Sequence, residues 1–218
     1  NGSYLGSFNS NVVAVVNNPY NQTYDKSVCN YDIANQLRVN GLWALPFKGN
    51  RIVSGWQLSG IVSATGGLPF TVFDGVDTLG WTLGAINPRP NVAGTESTTG
   101  NPGRFFDPAN YTLAPLGQYG NTGRLSLRGP GFNNTDISVI KDTKLKENVA
   151  LQFRAEFFNL FNHTNWGLPI PGNGTANLYS SFSANPAAAG YGSGTVIPGA
   201  TVNGNQVKAI PNAVAGKI

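Results

Sequence analysis

Between Val149 and Phe158 the chain alternates with a period of two. Val149, Leu151, Phe153, Ala155 and Phe157 fall on one side of a pleat, and Ala150, Gln152, Arg154, Glu156 and Phe158 on the other. One face is apolar and the other mostly polar. Such a segment calls for an antiparallel sheet with two unlike faces, and by itself leaves open whether water or hydrocarbon lies beyond each.

Three further segments carry the same periodicity, and the four form two pairs. The first pair is Asp32–Leu45 followed by Arg51–Thr65, joined by a turn at Pro46–Asn50. Ile33, Leu37, Val39, Trp43 and Leu45 share a face, opposed by Gln36, Arg38 and Asn40. In the partner strand Ile52, Trp56, Leu58 and Val62 oppose Gln57, Ser59 and Ser63, with Val53 and Ile61 blurring the polar side. The second pair is Asn133–Thr143 and Asn148–Phe158, joined at Lys144–Glu147; Thr135, Ile137 and Val139 oppose Asp136, Ser138 and Asp142. A barrel strand needs about 9–11 residues to cross a bilayer, and each segment is that long or slightly longer. Gly66–Phe132 is an anomalous connection for a soluble sandwich, whereas short turns alternating with long external loops are the pattern of membrane barrels. On that pattern 1–31, 66–132 and 159–218 are external loops. The tail from Pro169 is small-residue rich and is expected to be flexible or irregular.

Composition removes several classes. Charged residues are only 11 % of the chain, against about 25 % in ordinary soluble domains, and 28 glycines and 14 prolines mark a turn-rich β protein. With no apolar run of about 18 residues, only strands remain as spanning elements. The +4 net charge is spread over scattered Lys and Arg, with small groups at Lys48–Arg51 and Lys141–Lys146. Basic residues are not interleaved with aromatics along one face, so no nucleic-acid partner is expected. Cys29, the one cysteine, has no internal partner and reads as a loop or strand-end residue. The sequence starts at Asn1, contains no Met and shows no signal peptide.

The run GNTGRLSLRGPGFNNTDISVIKDTKLKENVALQFRAEFFNLFNHTNWG closely resembles the C-terminal barrel region of TonB-dependent, Oar-like outer-membrane receptors of acidobacteria and related soil bacteria. The likeness continues upstream through DIANQLRVNGLWALPF and GWQLSGIVSATGGLPFTV, and covers 28–75 and 104–167; FRAEFFNLFNHTNWG is its most specific piece. It implies an all-β fold, an antiparallel meander forming part of a transmembrane β-barrel with long irregular external loops. The family's aromatic-ended final strand is missing, so the sequence reads as an internal or C-terminally clipped fragment. Family function, import of a scarce ligand or surface binding driven by the TonB complex, uses a plug domain that this sequence does not contain. The implied partners are the rest of the barrel and its plug, the TonB complex, outer-membrane lipid and a ligand that the sequence does not name.

With the membrane supplied by the resemblance, the faces acquire roles. Gln36, Arg38, Asn40, Gln57, Ser59, Asp136, Ser138, Gln152, Arg154 and Glu156 are expected to face the lumen. Leu37, Val39, Trp43, Trp56, Leu58, Ile137, Val139, Leu151, Phe153 and Phe157 are expected to face lipid. An Arg at the bilayer midplane would cost about 2–4 kcal/mol, which turns Arg38 and Arg154 inward. Arg154 and Glu156 fit an ordinary solvated face with cross-strand ion pairs better than a substrate-contacting wall. Trp43, Trp56, Trp166, Phe157 and Phe158 suit interfacial girdles, with a soluble core as the competing use.

Other candidates carry less. His163 has no ligand companions and suits a turn. The carboxylates of Asp74 and Asp77 lack the further ligands of a calcium loop. Arg124 and Arg128 either shape the entry to the next strand or bind anionic groups, and the sequence does not choose. Asn1, Asn21, Asn110, Asn133, Asn162 and Asn173 match the glycosylation pattern, cheaply so in a chain with 27 asparagines. No nucleophile elbow, phosphate loop or Cys/His pairing is present, so neither an enzyme nor a cofactor is expected. Four strands cannot close a barrel. The section therefore joins the rest of its barrel; otherwise it self-associates edge to edge as a β-rich extracellular fibre, or folds as a glycan-binding sandwich.

Overall fold

The computed structural model describes residue 18 and residues 20–79, 88–169 and 176–217; Asn1 and Asn173 lie outside the described residues. Among these the chain is all-β with a few 3-10 turns and no α-helix. In chain order the strands are β1 (Gln36–Ala44), β2 (Trp56–Thr65), β3 (Pro69–Phe70), β4 (Asn91–Val92), β5 (Tyr111–Thr112) and β6 (Leu127–Arg128). They continue with β7 (Phe132–Lys146), β8 (Val149–Phe157), β9 (Tyr179–Ser183), β10 (Thr195–Val202) and β11 (Asn205–Pro211). Two compact units result. One comprises Ile33–Gly67 and Gly131–Trp166, and the other Asn1–Asp32, Leu68–Pro130 and Gly167–Ile218.

The first unit is a four-stranded antiparallel sheet in the order β1-β2-β7-β8. Although a long connection separates β2 from β7, ten residue pairs join them, from Trp56 opposite Lys141 to Thr65 opposite Phe132. The sheet is therefore a meander interrupted by that connection. The two outer strands, β1 and β8, each have one edge unpaired among the described residues.

The hairpins differ in detail from the sequence reading. β2 begins at Trp56, not Arg51, because Asn50 organises a turn: its Oδ1 accepts the N–H groups of Ile52 and Val53 at 3.1 Å each. Ile52 is thus a turn residue whose carbonyl accepts Trp56 Nε1–H at 3.0 Å. Gly55 closes the turn at φ +84°, where a methyl would overlap the Asp142 carbonyl. β7 runs on to Lys146 because a bulge between Lys144 and Lys146 absorbs one residue and leaves a two-residue turn, Glu147-Asn148.

The second unit has its own core, formed around Phe70, Val72, Phe106, Tyr111, Leu127, Leu178 and Ile197. Phe106 meets Tyr111 edge-on at 5.9 Å and lies 6.0 Å from Phe70. The tail is more ordered than its composition suggests, since β10-β11-β9 form a three-stranded sheet. Asn203 (φ 51°) and Gly204 (φ 81°) make the β10–β11 turn, and Ile197 and Ala209 are buried. Phe70, Val72, Phe106 and Tyr111, from the connection between β2 and β7, supply the apolar area that the tail lacks alone.

Candidate functional site

Residues directly opposite each other in an antiparallel sheet point to the same side, so the register fixes the membership of each face. One face carries, strand by strand, Leu37, Val39 and Trp43; Trp56, Leu58 and Val62; Ile137 and Val139; and Leu151, Phe153 and Phe157. The other carries Gln36, Arg38 and Asn40; Gln57, Ser59 and Ser63; Asp136 and Ser138; and Gln152, Arg154 and Glu156. Every residue assigned to lipid in the sequence reading shares the first face, and every residue assigned to the lumen shares the second. Leu42, Ile61, Phe132 and Ile140 interrupt the polar face, and Asn133, Thr135, Lys141 and Thr143 interrupt the apolar one.

The apolar face has no cover within its unit. Trp43 and Phe153 are each 60 % exposed, and Leu37, Val39, Val62, Leu151 and Phe157 are exposed as well. Seven large side chains at about half exposure amount to roughly 600–800 Å² of apolar surface, above the largest patch usual on a soluble monomer. At about 25 cal/mol per Å², moving that surface into hydrocarbon is worth on the order of 15–20 kcal/mol. The nine residues of β1 extend about 30 Å at 3.3 Å each, or about 23 Å at barrel tilt, close to the apolar band of a bilayer.

Polar side chains bond to one another across the opposite face. Asp142 accepts from Gln57 Nε2 at 2.9 Å and from Gln152 Nε2 at 2.8 Å, clasping β2, β7 and β8 together. Arg154 Nε pairs with Glu156 Oε1 at 2.8 Å. Both side chains are exposed, so the pair adds little stability and keeps the face hydrated.

Lys141 resolves the one charge on the apolar face. It lies opposite Trp56, beside the turn between β1 and β2, and its Nζ donates to the carbonyls of Arg51 (2.9 Å), Ser54 and Asp142 (3.3 Å). The ammonium stands over the Trp56 ring, with Nζ 5.7 Å from its centroid. The ammonium thus reaches back to polar backbone while its methylenes cover the apolar face. Parity was the available signal, since Lys141 follows Ile137 and Val139 at even spacing.

At the other end of β8, the FNLFNHTNW stretch folds back along β7. Asn159 and Asn162 take left-handed conformations (φ 48° and 49°), which asparagine tolerates better than most residues. Leu160 N–H donates to the Thr135 carbonyl at 2.8 Å, and Asn165 brackets the Asn133 backbone through its Oδ1 (2.8 Å) and Nδ2 (3.0 Å). His163 N–H donates to Asn159 Oδ1 at 2.9 Å, which makes this histidine part of the turn. Phe158 and Phe161 stand outward, Phe161 at 75 % exposure, and Trp166 is exposed. Beside this stretch Asn35, Gln36, Phe132, Asn133 and His163 border an open recess of about 500 Å³.

The second unit places the remaining candidates. Arg89 is 1 % exposed and binds Asp25 Oδ1 at 2.8 Å and the Tyr24 carbonyl at 2.7 Å, with its guanidinium 3.8 Å from the Tyr24 ring centroid. Tyr24 O–H donates to the Gly120 carbonyl at 2.6 Å, and burial raises its pKa against the pull of Arg89. Gly120 has no room for a side chain, because a methyl would overlap the carbonyl oxygens of Arg89 and Pro90. Arg128 is committed to Asp32, pairing with its carboxylate and donating to its carbonyl at 2.8 Å, and Arg124 reaches the Asp25 carbonyl at 3.5 Å. Both arginines therefore tether chain. Asp77 Oδ1 accepts Leu79 N–H at 3.0 Å, and Asp74 is fully buried. Among the described residues no group of three His, Cys, Asp or Glu side chains gathers as a metal cluster.

A family model described as an outer membrane beta barrel domain matches residues 1–196. No curated protein and no solved structure matches the chain.

Proposed function

The chain belongs to the outer membrane β-barrel family and resides in the bacterial outer membrane; from that premise we propose that it forms part of the wall of a TonB-dependent, Oar-like receptor that takes up or binds a ligand at the cell surface. One observation carries the wall assignment: a sheet whose apolar face is uncovered and whose opposite face is cross-linked by polar side chains. The receptor class is supported by the FRAEFFNLFNHTNWG wording. Leu37, Val39, Trp43, Leu58, Val139 and Phe153 then meet lipid, and Arg38, Gln57, Asp136, Gln152, Arg154 and Glu156 line the interior. Binding and passage, with no catalytic step and no cofactor, are the activity that this wall supports. Its partners are the remaining strands, a plug, outer-membrane lipid and the TonB complex.

The test is retention of the detergent-solubilised full-length protein on immobilised TonB periplasmic domain. Specific retention supports the receptor class. Its failure, with the protein still heat-modifiable on gels as a folded barrel, overturns that class and leaves the barrel standing. The edges of β1 and β8, unpaired among the described residues, favour one second reading, edge-to-edge self-association into a β-rich surface fibre. Monodisperse sedimentation in detergent argues against the fibre, and filaments in negative stain argue for it.

A further inference from the structure

Asp74 is a buried acid without a matching charge. It is 0 % exposed, and among the described residues neither Oδ1 nor Oδ2 has a hydrogen-bond partner at normal distance; the Thr78 hydroxyl, four residues on and otherwise unpartnered, is the side chain that bears on it. Its backbone is fully engaged. Asp74 N–H donates to the Pro88 carbonyl at 2.8 Å, and its own carbonyl accepts Tyr179 N–H at 2.9 Å. The adjacent Phe73 donates to the Ala176 carbonyl at 3.0 Å and accepts from Leu178 N–H at 2.9 Å. Three stretches of one unit, around residues 70–79, 88–92 and 176–179, are therefore stitched at this point.

Among the described residues no cation pairs with the carboxylate. Arg89 gives Nη1 to Asp25 and stacks on Tyr24, with its Nε unpartnered. Tyr24 gives its O–H to Gly120, and Asp77, on the same loop, accepts from Leu79. The 176–179 stretch brings Asn177 and the Tyr179 phenol, neither of them cationic. Buried polar groups are normally satisfied, so an acid left in this state at a three-way stitch calls for an explanation in function.

We propose that Asp74 is a proton-operated latch: with its proton the three stretches stay stitched, and on losing it an unmatched charge enters the core and the stitch opens. Burial is what sets the threshold. It raises the carboxyl to about 8, with the Thr78 hydroxyl pulling slightly the other way. An unfolded aspartate titrates near about 3.9. Between those values the closed form holds a proton that the open form gives up, so stability is greatest below about pH 4 and falls as pH rises. The open-to-closed ratio grows by up to about tenfold per pH unit and levels off above about pH 8. The latch belongs to the second unit alone and works whichever ligand the protein takes.

The experiment is hydrogen exchange on the full-length protein in membranes from pH 4.5 to 9, corrected for intrinsic exchange, read at the amides of Phe73, Asp74, Leu178 and Tyr179. The wild type is expected to lose protection steadily up to about pH 8 and then plateau, while Asp74→Asn stays flat. A flat wild-type profile overturns the latch without recourse to any variant. An equal slope in Asp74→Asn also overturns it, as does failure of that variant to fold, because a neutral amide of the same shape belongs in this site at least as well as the acid.

Discussion

Placing an arginine at Val139 is the sharpest perturbation of the wall. Val139 lies near the middle of β7, directly between Leu58 and Ala155 on the apolar face. In lipid, Arg at the midplane costs about 2–4 kcal/mol, and the lost valine burial adds about 1.5–2 kcal/mol. The total, about 3.5–6 kcal/mol, lowers the folded-to-unfolded ratio at equilibrium by a factor of roughly 400 to 25,000. Ser138→Arg, one residue away, puts the same charge on the other face, opposite Ser59 and Glu156. Glu156 already accepts Ser138 Oγ–H at 3.4 Å, so a guanidinium there gains a partner in a hydrated setting, and the change is worth less than about 1 kcal/mol. Urea-titrated refolding of the full-length chain into vesicles, scored by heat-modifiable gel migration, reads both. Equal tolerance of the two substitutions, or the reverse order, refutes the reasoning.

Other substitutions probe the supports of each unit. Lys141→Met keeps an apolar stem opposite Trp56 and removes the ammonium from the carbonyls of Arg51, Ser54 and Asp142; a loss of about 2–3 kcal/mol and faster tryptic cleavage at Arg51 are expected. Arg89→Ala takes the guanidinium from a nearly buried Asp25 and should destabilise the second unit by about 3–5 kcal/mol, seen as lost exchange protection around residues 22–25 and 88–92. Gly120→Ala forces the Arg89–Pro90 backbone to move, at a cost of about 1–3 kcal/mol, and should raise protease sensitivity in the same unit.

How much of this was legible in the sequence depended on how local its cause was. A pleat has a period of two, so parity alone told which of Leu151, Gln152, Phe153 and Arg154 share a face, and a careful count places Lys141 with Val139. The start of β2 was missed because Arg51, Ile52 and Val53 look like strand, whereas the Asn50 side chain captures their N–H groups into a turn. The Asn203-Gly204 pair was a readable hairpin signal passed over in a tail judged by composition. The second unit was opaque for a deeper reason. Its core joins Phe70, Phe106, Leu178 and Ile197, which lie far apart in the chain and follow no period. Nothing local reports that Asp74 will be buried. Neither does parity report which medium a face meets.

Spin labels placed one at a time from Val149 to Phe157 in the full-length protein, with Cys29 replaced by serine, measure that medium directly. Collision with oxygen should peak at 149, 151, 153, 155 and 157, and collision with a water-soluble nickel chelate at 150, 152, 154 and 156. Loss of the two-residue alternation, or shielding of Phe153 and Leu151 from both reagents, would contradict a wall with lipid on one side and water on the other.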